Sequence, residues 1–199
     1  MLCCAVLFVQ GGKFEAGDGD LVSTALRESE EEIGLARDDT RIEPLCCLPA
    51  MVSKHLLMVT PVVAIVPAPA HNTTASAATT TAGATSSGDG SFAVCANPDE
   101  VEAVFSAPLD CFLSNERHMS QDVRWGDVPF RMHFFTVTDA AHPGKRFTVW
   151  GLTASALIKA AIAGLGRQPD FQVTSPEAPP RETLVPKADG SGVTAQAKL

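Results

Sequence analysis

Four carboxylates stand within five residues, at Glu28, Glu30, Glu31 and Glu32. Like charges at helical spacing repel one another, so a helix that keeps them calls for a positive counterpart. Residues 21–35 contain no lysine, and Arg27 is their single basic side chain. Glu28, Glu31 and Glu32 stand at i, i+3 and i+4, within about 100° of one another on a helix. Carboxylate oxygens presented in that way suit a hard cation such as Mg²⁺ or Mn²⁺. A cation held there draws in a diphosphate and stabilises charge developing in phosphoryl transfer. A carboxylate on the same face orients or deprotonates the attacking water. Just upstream, Gly11, Gly12 and Lys13 open a Gly-rich loop whose backbone approaches an anionic ligand closely. The alternative for the acids alone is a solvated charged face.

The elements that must position these residues follow from pattern. Asp20 is a fitting N-cap, residues 21–33 keep helical periodicity, and Gly34 is a natural stop. Val22, Leu26, Ser29 and Ile33 form the stripe that packs, on a face apart from the acids. The apolar run 2–8 reads as a buried strand, 42–51 as an irregular or an edge strand, and 55–66 as a strand region broken at Pro61. Residues 67–90, rich in Ala, Thr, Ser and Gly, form a low-complexity loop inserted between strands. Val101, Val104 and Phe105 suggest a short strand or turn, and 109–113 a short helix. Strands are predicted at 129–138 and 146–150, joined around His142-Pro143-Gly144. A closing helix over 152–163 takes Thr153 as N-cap and Gly164 as stop. From Arg167 onward Pro, Gly, Ser and Thr dominate, so the chain divides into a domain over 1–166 and a disordered tail over 167–199.

Around the acids the sequence resembles the Nudix box, G-x5-E-x7-R-E-U-x-E-E-x-G-U with U aliphatic. Gly12, Arg27, Glu28, Glu31, Glu32, Gly34 and Leu35 match it in order. Asp18 stands for the first Glu with one extra residue before Arg27, and Ser29 replaces the aliphatic residue. The Asp18 spacing, with Asp20, Thr24, Ala25, Leu26 and Ile33, is similar to the variant box of coenzyme A diphosphatases. The likeness continues through Cys46-Cys47-Leu48, the stretch from Asn97-Pro98 to Phe105, and Gly151-Leu152-Thr153-Ala154.

The resemblance implies a Nudix α/β/α sandwich around a mixed sheet and a Mg²⁺- or Mn²⁺-dependent hydrolase. Its substrate would be coenzyme A or acyl-CoA, cleaved at the diphosphate to 3′,5′-ADP and (acyl-)4′-phosphopantetheine. Glu28, Glu31 and Glu32 carry over as metal ligands, and Glu28 and Glu31 as catalytic groups with the general base unassigned. Arg27 carries over as the cation that orients and neutralises the acids, and Gly11, Gly12 and Lys13 as the substrate loop. The family often adds an acid from a downstream loop, for which Glu100 and Glu102 are candidates. Ala197-Lys198-Leu199 resembles a peroxisomal targeting tripeptide, implying the peroxisomal import receptor as a partner and the peroxisome as destination. The family places several strands ahead of its box, whereas here the box begins at residue 11, so the N-terminal strands are expected to be partly missing. A pyrophosphatase of NADH or another nucleoside diphosphate derivative, and a non-catalytic CoA-binding protein, stay open as alternatives.

Composition narrows the class further. The 199 residues are 45% hydrophobic and 19% charged, with a net charge of −8 that argues against a general nucleic-acid partner. No apolar run reaches the roughly 18 residues of a membrane span. Six cysteines, at 3, 4, 46, 47, 95 and 111, lack C-x-x-C spacing and read as buried reduced thiols. The five histidines show no ligand spacing, and His133 among aromatics reads as a packed side chain. Trp125 and Trp150 read as packing residues before adenine platforms. Lys13, Lys54, Arg124 and Arg131 are candidates to meet a 3′-phosphate.

Overall fold

The computed structural model describes residues 13–53, 57–66, 95–125, 128–139 and 142–178. The strand expected over 2–8, Gly11, Gly12, Lys54, the inserted loop at 67–90 and the C-terminal tripeptide Ala197, Lys198 and Leu199 lie outside these residues.

The acidic helix α1 (Leu21–Ile33) starts and stops where its sequence signals stand. The Asp20 carboxylate accepts from the Ser23 backbone N–H at 2.7 Å, which satisfies one donor of the open first turn. Gly34 closes the helix in the left-handed region at φ 73°, its N–H returning to the Glu30 carbonyl. The packing stripe holds: Ser29 and Ile33 are buried, and Leu26 lies against Ile33, Leu35, Ile42, Ala64 and Val66.

Strand β1 (Glu43–Cys47) pairs antiparallel with β4 (Val62–Ile65), its register interrupted between Pro44 and Cys46. Short strands β2 (Met51–Val52) and β3 (Met58–Val59) make a second pair. The edge character predicted for 42–51 is seen, because every residue of β1 is exposed. The cysteine reading is corrected by the same fact. Cys46, Cys47 and Cys95 are exposed and Cys111 is only half-buried, although all four are unbridged.

The second half is built on a three-stranded antiparallel sheet, β5 (His118–Trp125), β6 (Val128–Thr138) and β7 (Arg146–Trp150), in that order. Along β6, His133, Phe135 and Val137 alternate inward, the period of two expected of a half-buried strand. Helix α2 (Gly151–Leu165) lays its small and branched residues on that face. Ala154, Ile158 and Ala161 there meet Phe135, Val137, Val149 and, from the 3₁₀ turn Leu109–Leu113, Phe112 and Leu113. The helix begins one residue before the expected start and its N-cap stands three residues earlier: Trp150 takes that place, without a side-chain hydrogen bond, and Thr153 is an ordinary helical residue. Gly166, not Gly164, closes it.

Three further expectations change. Val101, Val104 and Phe105 stand in neither a strand nor a turn; the turn lies before them, at 98–100. All strand pairs among the described residues are antiparallel, so the mixed sheet is not seen there. The chain does not lose its contacts at Arg167. Asp170 N–H donates to the Leu113 carbonyl at 2.8 Å, Phe171 stacks on His118 with centroids 3.8 Å apart, and the Val173 carbonyl lies 2.9 Å from His133 Nε2. Composition hid these anchors because Phe171 and Val173 are isolated among Pro, Gln, Ser and Thr. No helix among the described residues is long and apolar enough to cross a membrane.

Candidate active site

Arg27 is the hub of the acidic helix. Its Nε donates to Asp18 Oδ1 at 3.1 Å and its Nη1 to Glu31 Oε2 at 3.0 Å, while Nη2 lies 2.9 Å from Glu28 Oε1. Nη2 also donates to the Lys13 carbonyl at 3.0 Å. One guanidinium therefore ties the loop to the helix and offsets the charge of two of the acids, the role the resemblance implies for it. Burial strengthens the arrangement: the side chains of Arg27 and Asp18 are 11% and 6% exposed. Asp18 also accepts from the Glu15 backbone N–H and from Thr24 Oγ1. The Arg27 hydrogen bond, followed by that from Glu15, holds its carboxyl down at about 2. The residue in place of the box's first Glu is thus a clasp between loop and helix.

The remaining acids divide by face. Glu30 turns away and pairs with Arg37. Glu32 has no hydrogen bond or ion pair from its carboxylate among the described residues. Partial burial pushes it above the usual carboxylate range, and the charges of Glu28, Glu100 and Glu31 push in the same direction. Glu28, Glu31, Glu32 and Glu100 therefore share one electrostatic neighbourhood that Arg27 only partly offsets. Of the two downstream candidates, Glu100 lies close enough to act on the box, whereas Glu102 is almost fully exposed and lies 3.5 Å from Lys145 Nζ.

These side chains suit a divalent hard cation in donor chemistry, since all are carboxylate oxygens and one is unpartnered among the described residues. They are not gathered into a cage: among the described residues no three acidic, histidine or cysteine side chains converge as metal ligands. Glu28 and Glu31 lean on Arg27, and Glu31 is 50% exposed and free to rotate away from it. Of the residues proposed for the 3′-phosphate, Arg124 pairs with Glu177, and Arg131 with Asp122. Lys13 is exposed at the mouth of the Arg27 clasp and has no ion pair among the described residues.

A strap from Cys95 to Val101 meets the end of α1; Glu100 on it was legible as a candidate acid, but its anchoring to the helix was not. Cys95 N–H donates to the Ile33 carbonyl at 3.0 Å and Asn97 N–H to the Glu32 carbonyl at 2.8 Å. Two of the helix's orphan carbonyls are satisfied by a segment some sixty residues downstream. The approach is so close that a Cβ on Gly34 would stand 2.9 Å from Cys95 Cβ. The Asn-Pro-Asp-Glu turn was the available signal, since Asn favours turns that bond their own backbone. His133 is confirmed as a packed residue: it is buried, and its Nδ1 lies 2.9 Å from His118 Nε2. Trp150 is an exposed surface residue stacked on Phe134.

No protein-family model matches the chain. Curated proteins do. Nudix hydrolase 15, mitochondrial, from Arabidopsis thaliana is 37% identical over 81% of this chain and 48% of its own length. Nudix hydrolase 22, chloroplastic, from the same plant is 37% identical over 81% of this chain and 45% of its own. Peroxisomal coenzyme A diphosphatase NUDT7 from Mus musculus is 29% identical over 82% of this chain and 58% of its own. The chain spans about half the length of the first two. The box residues stand in order on one helix, and over four-fifths of its length the chain is similar to Nudix hydrolases, a coenzyme A diphosphatase among them.

Proposed function

We propose that this chain hydrolyses the diphosphate bond of coenzyme A or acyl-CoA, giving 3′,5′-ADP and (acyl-)4′-phosphopantetheine. The observation that carries the proposal is the carboxylate face of α1, where Glu32 has no partner among the described residues and feels the charges of Glu28, Glu100 and Glu31, while Arg27 holds the substrate loop against the same helix. Glu28, Glu31 and Glu32 would hold Mg²⁺ or Mn²⁺, which supplies Lewis-acid stabilisation of the diphosphate oxygens. Arg27 keeps Glu28 and Glu31 oriented, and a carboxylate of this face takes the proton from the attacking water. Gly11, Gly12 and Lys13 bring backbone and one ammonium to the diphosphate. The box variant around Asp18 supports the coenzyme A substrate, as does the relative named a coenzyme A diphosphatase. Destination to the peroxisome through the import receptor is proposed on Ala197-Lys198-Leu199. The relatives' names divide among mitochondrion, chloroplast and peroxisome.

The test is incubation with CoA and Mg²⁺, followed by chromatography for 3′,5′-ADP. Glu31→Gln and Glu32→Gln are each expected to lower the rate by at least about a hundredfold. Wild-type rates in both variants would refute the site. Cleavage of NADH or ADP-ribose with CoA untouched would refute the substrate.

A further inference from the structure

Helix α2 covers the face of the β5–β6–β7 sheet that carries Phe135, Val137 and Val149. Strand residues alternate, and residues directly opposite in register share a face. The outer face therefore takes Met119, Phe134 and Trp150 as one row across the three strands. Met119 and Trp150 are 73% and 54% exposed. The Phe134 and Trp150 rings are parallel within 6°, their centroids 6.2 Å apart. Strand β7 is the edge of this sheet, so no further strand of it stands beside Trp150. Large apolar side chains grouped in solvent mark a surface that meets something.

The charge on the same face says what that is. Arg146 stands opposite Thr138, and Arg117 stands opposite Thr136, whose N–H donates to the Arg117 carbonyl at 3.0 Å. The Arg117 guanidinium donates to Thr138 Oγ1 at 3.2 Å, so both arginines gather at one end of the face. Neither has an ion pair among the described residues. Asp110, Glu116 and Asp170 line a cleft with Arg117 beyond the sheet, and none of them pairs with it. No acid stands among the residues this face takes from β5, β6 and β7, although the chain carries a net charge of −8. A second copy laid on this face would bring arginines toward arginines with no acid between them. From Trp150 to Arg146 the strand advances about 13 Å, a span that a base at one end and a diphosphate at the other cover together.

We propose that the outer face of this sheet binds a purine nucleotide, its base continuing the Phe134–Trp150 stack and its phosphates held by Arg117 and Arg146. Stacking on an exposed indole accepts any planar base, and a guanidinium pairs with phosphate through two parallel hydrogen bonds. The site uses no residue of the box and needs no cation.

ADP is the probe, titrated by calorimetry into the full chain with EDTA present, so that α1 holds no cation to draw a phosphate. One molecule per chain is expected to bind, more weakly as salt is raised. Trp150→Leu, Arg117→Gln and Arg146→Gln are each expected to weaken binding about tenfold. Adenosine should respond only to the tryptophan change, and pyrophosphate only to the arginine changes. Arg124→Gln, on the other face of β5 and paired with Glu177, should bind as wild type. Melting is recorded in parallel. The Arg146 side chain has no bond among the described residues, so its variant carries the arginine test even where Arg117→Gln lowers the melting temperature. Absence of ADP binding to the wild type would overturn the inference, as would wild-type affinity in Trp150→Leu or Arg146→Gln. So would self-association that Trp150→Leu abolishes and ADP leaves unchanged, since the face would then belong to a second copy. Any of these results leaves the reading of the box standing, and box variants that keep full CoA hydrolysis would leave this site standing.

Discussion

Replacing Gly34 with alanine separates two reasons why a glycine stands at the end of α1. The first is conformation, because φ 73° lies in the left-handed region and costs a residue with a Cβ about 1–2 kcal/mol. The second is space, because the new methyl would stand 2.9 Å from Cys95 Cβ and 3.3 Å from the Cys95 carbonyl oxygen. Neither neighbour is the end of a flexible side chain, so the strap itself must move, at roughly 1–3 kcal/mol for overpacking. Alanine returns about 0.4–1 kcal/mol by restricting the unfolded chain. The net expectation is a loss of about 2–4 kcal/mol, or roughly 5–15 °C in melting temperature for a chain of this size. Gly166 is the internal control. It closes α2 at φ 64° with nothing within 4 Å of where a Cβ would stand, so Gly166→Ala bears the conformational cost alone, about 1 kcal/mol net. Urea unfolding of both variants, with slopes checked for equality, gives the comparison. Cys95→Gly added to Gly34→Ala should recover part of the difference. Equal losses at Gly34 and Gly166, or no recovery, would refute the close-approach argument.

Two further outcomes are expected. Burial, then the neighbouring His133 and Arg131 charges, push His118 down to about 4, against about 6.5 in an unfolded chain. Below pH 6.5 the unfolded chain therefore binds a proton the folded one refuses, so this contribution to stability is complete above pH 6.5 and is lost as pH falls toward 4. The limit is about 3 kcal/mol, reduced in practice because the ring is partly solvated. Unfolding midpoints at pH 7.5 and 5 in wild type and His118→Gln measure it, and an equal drop in both would refute the assignment. Ser29→Val tests the box position that departs from an aliphatic residue. Ser29 lines a small apolar cavity of about 30 Å³ with Leu26, Leu35, Ile42 and Val62, its hydroxyl donating to the Ala25 carbonyl at 2.7 Å. Filling that space should stabilise the protein by about 1 kcal/mol, read as a higher urea midpoint, and a lower midpoint would show that no room exists.

What could be read in the chain depended on whether its cause was local. Asp20 and Gly34 act on the turns beside them, so α1 was bounded to the residue, and the aromatic alternation of 129–138 marked β6 for the same reason. Strand β5 escapes a reading by pattern because HMSQDVRW shows little apolar signal; it is held by its register against β6, with His118 opposite Phe135 and Asp122 opposite Arg131. The adjacent cysteines of β1 were expected inside on residue type, yet among the described residues β1 pairs only with β4 and stays exposed. Ranking a residue by its usual burial fails where no second layer is laid over it.

The site shows the same division, and it gives the box spacing a physical content. Arg27 was legible as the counter-charge because the acids outnumber it within its own helix, and it does bind Glu31 one turn on. That it also closes on Asp18 and the Lys13 carbonyl follows from loop geometry, which an extra residue before Arg27 does not prevent, since the shorter Asp side chain is met by Nε and Nη2 together. The glycine three residues after Glu31 has its reason in neither the helix nor the acids alone. It removes the one Cβ that would hold the 95–101 strap away from the last turn, and the strap brings Asn97 to the Glu32 carbonyl. A helix with the same acids and an alanine at 34 would keep its charge and hold the strap, with Asn97, away from its last turn. The acids and the glycine thus act at one end of one helix: the first set its charge, and the second admits the segment that satisfies its last carbonyls.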